Sequence, residues 1–346
     1  MIRAVILKNR LIEQPNSRSS HHKIVPSFGG LAFFLVLIVG ILITPEIIEK
    51  VFHSCQLGYI KSLVMRALLT LALITTVYTG IKDDNKILSP IKKLFGQIMS
   101  AGLIASFDIF RINNLYGLFN VHELPLFLSL ILSIIFIVGV MNAFNLIDGI
   151  DGNAALNGIC ISSFFCFFFF VIKSMFFIGI CIMIIGSLSA FARYNLSRTK
   201  KIFMGDTGSL TLGLVFSVLA LRLLNIQEHQ FEFNFLEHHD IPIVVITILF
   251  LPILDVFRVV MIRLKQKKPI WKPDRNHIHH RIIDIGFTHR KASLTINILN
   301  LLFTFLVILT LSVYGTIYGL ITFFVFTILS IIFLDFLEDY HPKSDI

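Results

Sequence analysis

Residues 124–152 read LPLFLSLILSIIFIVGVMNAFNLIDGIDG, an apolar run that ends in two Asn and two Asp between Asn142 and Asp151. A helix needs about 20 apolar residues to cross about 30 Å of hydrocarbon. Segment 124–143 meets that length with no charged residue. Comparable runs occupy 27–44, 62–81, 93–108, 153–173, 174–192, 207–225, 241–264, 293–312 and 314–335 of the 346-residue chain. The spacing predicts an all-α, polytopic membrane bundle of about ten transmembrane helices. The run at 93–108 is short, and the two runs within 153–192 are divided only around Lys173 and Ser174.

Composition agrees. Apolar residues make up 55% and charged residues 15% of the chain, against about 25% charged in soluble domains. The net charge of +9 is not a nucleic-acid signature, because Lys and Arg sit between apolar runs and form no continuous basic tract. Cys55, Cys160, Cys166 and Cys181 show neither disulfide nor zinc spacing and read as small packing residues. The first apolar run begins near Phe28, after a polar stretch, so no cleavable signal peptide is expected.

Loop charge sets the orientation. Segments 1–26, 82–93, 193–206 and 263–291 hold most of the basic residues. Segments 45–61, 109–123 and 226–240 are poor in them, and the last carries Glu228, Glu232, Glu237 and Asp240. The positive-inside rule puts the first set and both termini in the cytoplasm. Alternation around Asn113-Asn114 suggests a small extracytoplasmic β-hairpin near 108–121. With no internal repeat and no long polar insert, 1–346 reads as one integral membrane domain. Loops 1–26, 82–93, 144–152, 193–206 and 265–291 would form its site.

The acids and histidines then fall on that same face. Asp83-Asp84 ends one apolar run, where adjacent carboxylates can hold a divalent cation, share a proton or simply be solvated. Lys93 follows, after Ser89-Pro90. Asn142, Asn145 and Asp148 share a helix face by their spacing of three, and with Asp151 they offer oxygens suited to Mg²⁺. Gly149 and Gly152 allow sharp turns and close approach to a ligand. Asp206 or Thr207 is placed to cap the next helix, whose N-terminus would attract a diphosphate. Asp274, Arg275, His277, His279, His280 and Arg281 make a cation-rich loop that favours an anion over zinc. Together these residues suggest a metal-assisted pocket for a nucleotide diphosphate beside a lipid-borne acceptor.

In that order the motifs resemble the polyprenyl-phosphate N-acetylhexosamine-1-phosphate transferases, glycosyltransferase family 4. The resemblance runs through Pro15–His21 with Gly29-Gly30, Asp83-Asp84 with Lys93 and Gln97, Asn142–Gly152, Phe203–Ser209 and His277–His280. It implies a UDP-N-acetylhexosamine donor, an undecaprenyl phosphate acceptor, UMP release and Mg²⁺, with Mn²⁺ as a substitute. By resemblance Asp83, Asp84, Asp148, Asp151 and His279 are catalytic, and Asn145 and Asp206 are the metal ligands. Lys93, Asn142, Gly205, Arg275, His277, His280 and Arg281 bind substrate by the same resemblance. Arg18-Ser-Ser-His21 and His277-Ile-His-His280 look like the initiator branch that uses UDP-GlcNAc and opens cell-wall, lipopolysaccharide or O-antigen synthesis. That branch implies a bacterial inner-membrane enzyme with a cytoplasmic site, in which a homodimer is allowed. Its members carry a further apolar span ahead of the Pro-Asn motif. Here fourteen residues, with Arg3, Lys8 and Arg10, precede Pro15, so a late start or a variant lacking that helix is expected. The rival reading is an ion-coupled transporter or lipid flippase. It calls for ionisable residues at mid-bilayer, and Asp255 and Arg258 come closest to that.

Overall fold

A computed structural model describes residues 12–13, 25–27, 29–52, 59–117, 121–197, 199–227, 231, 233, 235–267 and 277–340. The chain is an all-helical bundle: α1 Gly30–Phe52, α2 Tyr59–Asn85, α3 Pro90–Ala105, α4 Leu126–Ile147, α5 Asn153–Val171 and α6 Met175–Asn195. It continues with α7 Gly205–Leu224, α8 Ile241–Ile248, α9 Phe250–Lys265, α10 Ile278–Asp284, α11 His289–Tyr314 and α12 Thr316–Tyr340. Ahead of α1, Ile12–Glu13 and Val25–Pro26 pair antiparallel for two residues each.

Among the described residues, α2, α4, α5, α6, α7, α11 and α12 are each long and apolar enough to cross a membrane. The expected span 241–264 is instead a bent pair, His238–Ile248 and Phe250–Lys265, meeting at 67°. Pro252 explains the break. It has no N–H to donate to Ile248 four residues back, and its ring crowds that carbonyl, so the first helix stops at Ile248. Two shorter helices complete the set: the apolar stretch Gly30–Ile43 of α1, and α3, whose 16 residues span about 24 Å at 1.5 Å per residue.

Helix α7 is the axis. Of its apolar window, 94% is buried, against 11% for α12. It packs against α1, α2, α4, α5 and α8. Two helices approach its start closely enough to exclude side chains. A Cβ on Gly30 would lie 2.1 Å from Gly208 Cα, and one on Gly80 would lie 2.4 Å from Thr207 Cα. The other end of α7 is closed by segment 111–116. Tyr116 Oη donates to Leu224 O at 2.5 Å, and Asn225 Nδ2 donates to Arg111 O at 2.5 Å. Burial pushes the Tyr116 phenol up to about 12, so it stays a neutral donor. The expected hairpin at 108–121 is not established as strands: its described residues form a 3-10 turn at Asp108–Phe110 and a single antiparallel bridge, Asn114 to Glu123.

Helices α3 and α4 are held in register by a reciprocal amide pair. Gln97 Nε2 donates to Asn142 Oδ1 and Asn142 Nδ2 donates to Gln97 Oε1, both at 3.0 Å. Gln97 is 1% exposed, so an orphaned partner has no route to water. Gln97→Leu should therefore lower detergent-solubilised thermal stability by about 1–3 kcal/mol. Gln97→Leu with Asn142→Leu should cost less than the sum of the single changes, and strict additivity would show the pair is not coupled.

Candidate active site

Four helix ends meet at one end of the bundle. Asp83 and Asp84 come from the last turn of α2, Lys93 from the first turn of α3, Asn145 from the last turn of α4, and Asp206 from the first turn of α7. Pro90 opens α3 without an N–H to leave unpaired. Leu88 N donates to Asp83 Oδ1 at 2.7 Å, which fixes the turn ahead of Lys93.

The Lys93 ammonium is the meeting point. Its Nζ lies 2.8 Å from Asp83 Oδ2, 3.2 Å from Asp206 Oδ1 and 3.1 Å from Asn145 Oδ1. Asn145 Nδ2 in turn donates to Asp206 Oδ1, and to Ser209 Oγ at 2.9 Å. Two carboxylates and one amide oxygen, drawn from positions far apart in the chain, thus converge on one positive charge.

Asp84 has a different job from its neighbour. Its carboxylate accepts from Asp206 N at 2.7 Å, Thr207 N at 3.0 Å and Thr207 Oγ1 at 2.6 Å. The cap of α7 is therefore Asp84, reaching across from α2, rather than Asp206 or Thr207 as the sequence suggested. These bonds also occupy two of the N–H groups that were expected to attract a diphosphate. Gly205 permits the arrangement: its φ is +72°, and a Cβ there would lie 2.8 Å from Asp84 Oδ2.

The histidine loop joins the same end. His277 Nδ1 lies 2.8 Å from Asp255 Oδ2, and Ile278 N donates to Asp255 Oδ1 at 2.7 Å. The His277 and His279 rings stack with centroids 5.6 Å apart and planes 6° apart, and His280 lies 4.3 Å from His279. His279 lies against Gly149: a Cβ there would sit 2.2 Å from His279 Nε2. Gly149 lies in the turn that follows α4, two residues past Ile147, so the loop meets the chain just beyond the helix end that carries Asn145. Burial lowers the His279 pKa to about 3, against the pull of Asp255 and with help from neighbouring imidazoles. The ring is neutral at physiological pH.

The remaining expected residues are placed as follows. Asn142 is paired with Gln97 and donates to Val138 O at 2.8 Å. Asp151 is bound to Lys201 at 2.7 Å, with His289 Nδ1 3.7 Å away, and so ties the loop ahead of α7 to the start of α11. Beside it, Asn195 accepts from Gly152 N at 2.5 Å and donates to Ile202 O at 2.9 Å. Asp148 ends α4 as its C-cap, Arg281 is buried in α10, and His280 is half-buried. Arg275 and the Pro15–His21 motif lie outside the described residues. Sequence reasoning passed over Asp255, Lys201, Asn195 and Ser209 as site residues. Asp255 carried a usable signal, since a carboxylate within an apolar span is costly unless partnered.

The donor set bears on a metal. Among the described residues no three His, Cys, Asp or Glu side chains are grouped to hold an ion by themselves. Mg²⁺ does not need that: it commonly takes one or two carboxylates and completes its shell with waters and substrate phosphates. The hard oxygens of Asp83, Asp206 and Asn145, already gathered on a cation, fit such an ion.

The chain is similar to several known proteins. The chain is 31% identical over 308 residues to the Bacillus subtilis (strain 168) protein named "Probable undecaprenyl-phosphate N-acetylglucosaminyl 1-phosphate transferase", covering 88% of this chain and 78% of that protein. It is 28% identical to a Mycobacterium leprae decaprenyl-phosphate N-acetylglucosaminephosphotransferase, covering 84% and 75%. It is also 28% identical to the Escherichia coli (strain K12) undecaprenyl-phosphate alpha-N-acetylglucosaminyl 1-phosphate transferase, covering 86% and 75%. The family model of glycosyl transferase family 4 matches residues 65–224, a stretch that holds Asp83, Lys93, Asn145 and Asp206. This multi-pass helical chain belongs to glycosyl transferase family 4.

Proposed function

We propose that the chain transfers N-acetylhexosamine-1-phosphate, specifically GlcNAc-1-phosphate, from its UDP-sugar to undecaprenyl phosphate. The reaction takes place at the cytoplasmic face of a bacterial inner membrane, within the single domain 1–346, and opens the synthesis of an envelope glycopolymer. The observation that carries this reading is the convergence of Asp83, Asn145 and Asp206 on Lys93. The sugar–carrier pair is the one printed in the names of the relatives.

In the transfer, an oxygen of the carrier phosphate forms a bond to the β-phosphorus of the donor. The bond from that phosphorus to the bridging oxygen breaks, and UMP leaves with the bridging oxygen. Phosphoryl transfer of this kind is accelerated by positioning and by neutralising charge on the phosphate oxygens. Lys93 supplies a fixed positive charge, and its place in the first turn of α3 sets it beside the lipid. The same helix exposes Ile91, Leu94 and Phe95, which suit a polyprenyl chain. Asp83 orients the carrier phosphate and takes its proton when the acceptor arrives as the monoanion. Asp206 and Asn145 are the residues that would hold Mg²⁺. Bound there, the ion adds Lewis-acid charge on the diphosphate. Asp84 acts through α7, since its oxygens hold the backbone from which Asp206 projects. His277, His279, His280 and Arg281 border the donor side.

Purified protein in detergent, given undecaprenyl phosphate, Mg²⁺ and labelled UDP-GlcNAc, should form a lipid-linked sugar and release UMP. Chelation should stop the reaction and added Mg²⁺ restore it. Failure to form product from any UDP-N-acetylhexosamine would defeat the assignment. Lys93→Met and Asp206→Ala should each lower kcat by about 10²–10³ while the protein still purifies as folded monodisperse material. Near-normal turnover of either variant would remove that residue from the centre.

A further inference from the structure

Asp255 is a buried carboxylate that the transfer chemistry does not use. It sits in α9 with 2% exposure, and both of its oxygens are committed, one to His277 Nδ1 at 2.8 Å and one to Ile278 N at 2.7 Å. Ile278 is the first residue of α10. One side chain therefore fixes the backbone entry of that helix and the ring preceding it. With Nδ1 engaged, the remaining polar atom of the His277 ring is Nε2. The His279 ring lies nearly parallel to that of His277, and its Nε2 is buried, has no hydrogen-bond partner among the described residues, and borders Gly149. A buried imidazole nitrogen without a partner is an unmet polar demand. It lies against the turn that follows α4, the helix whose last turn carries Asn145.

The side of the site also discriminates between the two substrates. Lys93 lies on a helix with exposed apolar residues, where a polyprenyl chain reaches the site. The histidine loop packs against Gly149 beyond α4, a helix that α3 and α9 both contact, with Ile278, His279, Arg281 and Ile282 all buried. That setting suits a water-soluble phosphate ligand enclosed by protein better than a chain arriving from lipid.

We propose that Asp255 is the positioning residue of the histidine loop. By holding His277 Nδ1 and the first amide of α10, it presents the Nε2 atoms of His277 and His279 to the phosphates of the nucleotide-sugar. It thereby sets donor affinity and leaves acceptor affinity alone. This rests on the donor proposed above.

The test compares wild type, Asp255→Asn, His277→Ala and the double variant, each purified in detergent and titrated separately with UDP-GlcNAc and with undecaprenyl phosphate. Asp255→Asn should raise the donor KM about tenfold and leave the acceptor KM within about twofold. The double variant should be no worse than His277→Ala, because the carboxylate acts through that ring. Equal rises in both KM values, a loss confined to kcat, or losses that multiply in the double variant would overturn the proposal. Nitrogen-15 NMR of the histidines in the wild-type protein supplies a check that needs no folded variant: His277 should carry its proton on Nδ1, and a ring protonated only on Nε2 would overturn the clamp. UMP titration of wild type by calorimetry separates the two failures. A wild-type protein that binds UMP and turns over, with Asp255→Asn titrating like it, loses only the positioning role. A wild-type protein that neither binds UMP nor turns over loses the donor reading, and this inference with it.

Discussion

One ammonium group organises this end of the bundle. Lys93 Nζ is shared by Asp83, Asp206 and Asn145, so α2, α3, α4 and α7 are tied at a single charge. Two carboxylates this close repel each other and favour protonation unless a cation lies between them. Removing the lysine would leave partly buried like charges facing one another, a cost of about 3–5 kcal/mol where burial is complete and less where water still reaches. Under the proposed function, the same electrostatics would let the centre receive a metal–diphosphate, because the oxygens are already arranged around positive charge and little reorganisation would remain for the reaction itself.

The rest of the fold serves to keep that point fixed. Helix α7 is enclosed along nearly its whole length, and glycines at 30, 80 and 208 let two neighbouring helices close on its first turn. Asp84 then holds the first amides of α7, which aims Asp206 at Lys93. One turn along the same face of α3, the Gln97–Asn142 pair sets the register that brings Asn145 to the same ammonium. Beyond Asn145, the chain turns at Gly149 and meets the histidine loop. The site is thus a consequence of helix register rather than of any one loop.

Much of this was legible in the sequence, for identifiable reasons. Apolar runs of membrane length announce their helices, and acids at the ends of such runs stand out because lipid tolerates them poorly. Asp83, Lys93, Asn145, Asp206 and His279 were visible as a group on that basis. What stayed hidden depends on contacts between distant segments. Spacing could not tell that Asp84 caps α7 while Asp83 faces Lys93, because adjacent residues on a helix point about 100° apart and their partners lie on other helices. Nor could it tell that Asn142 spends its amide on Gln97, or that Asp151 pairs with Lys201. The bend after Ile248 was readable from Pro252, but hydropathy alone ran through it as one span.

The central claim is that chain-distant residues close over one metal–diphosphate centre. The most direct measurement is a structure of the protein with UDP-GlcNAc and Mn²⁺ in place of Mg²⁺, with the metal located by its anomalous signal. The account predicts a single metal peak bonded to oxygens of Asp206 and Asn145, with the donor diphosphate between Lys93 and His279. A metal bound elsewhere, or a nucleotide lodged away from the Lys93 cluster, would contradict it.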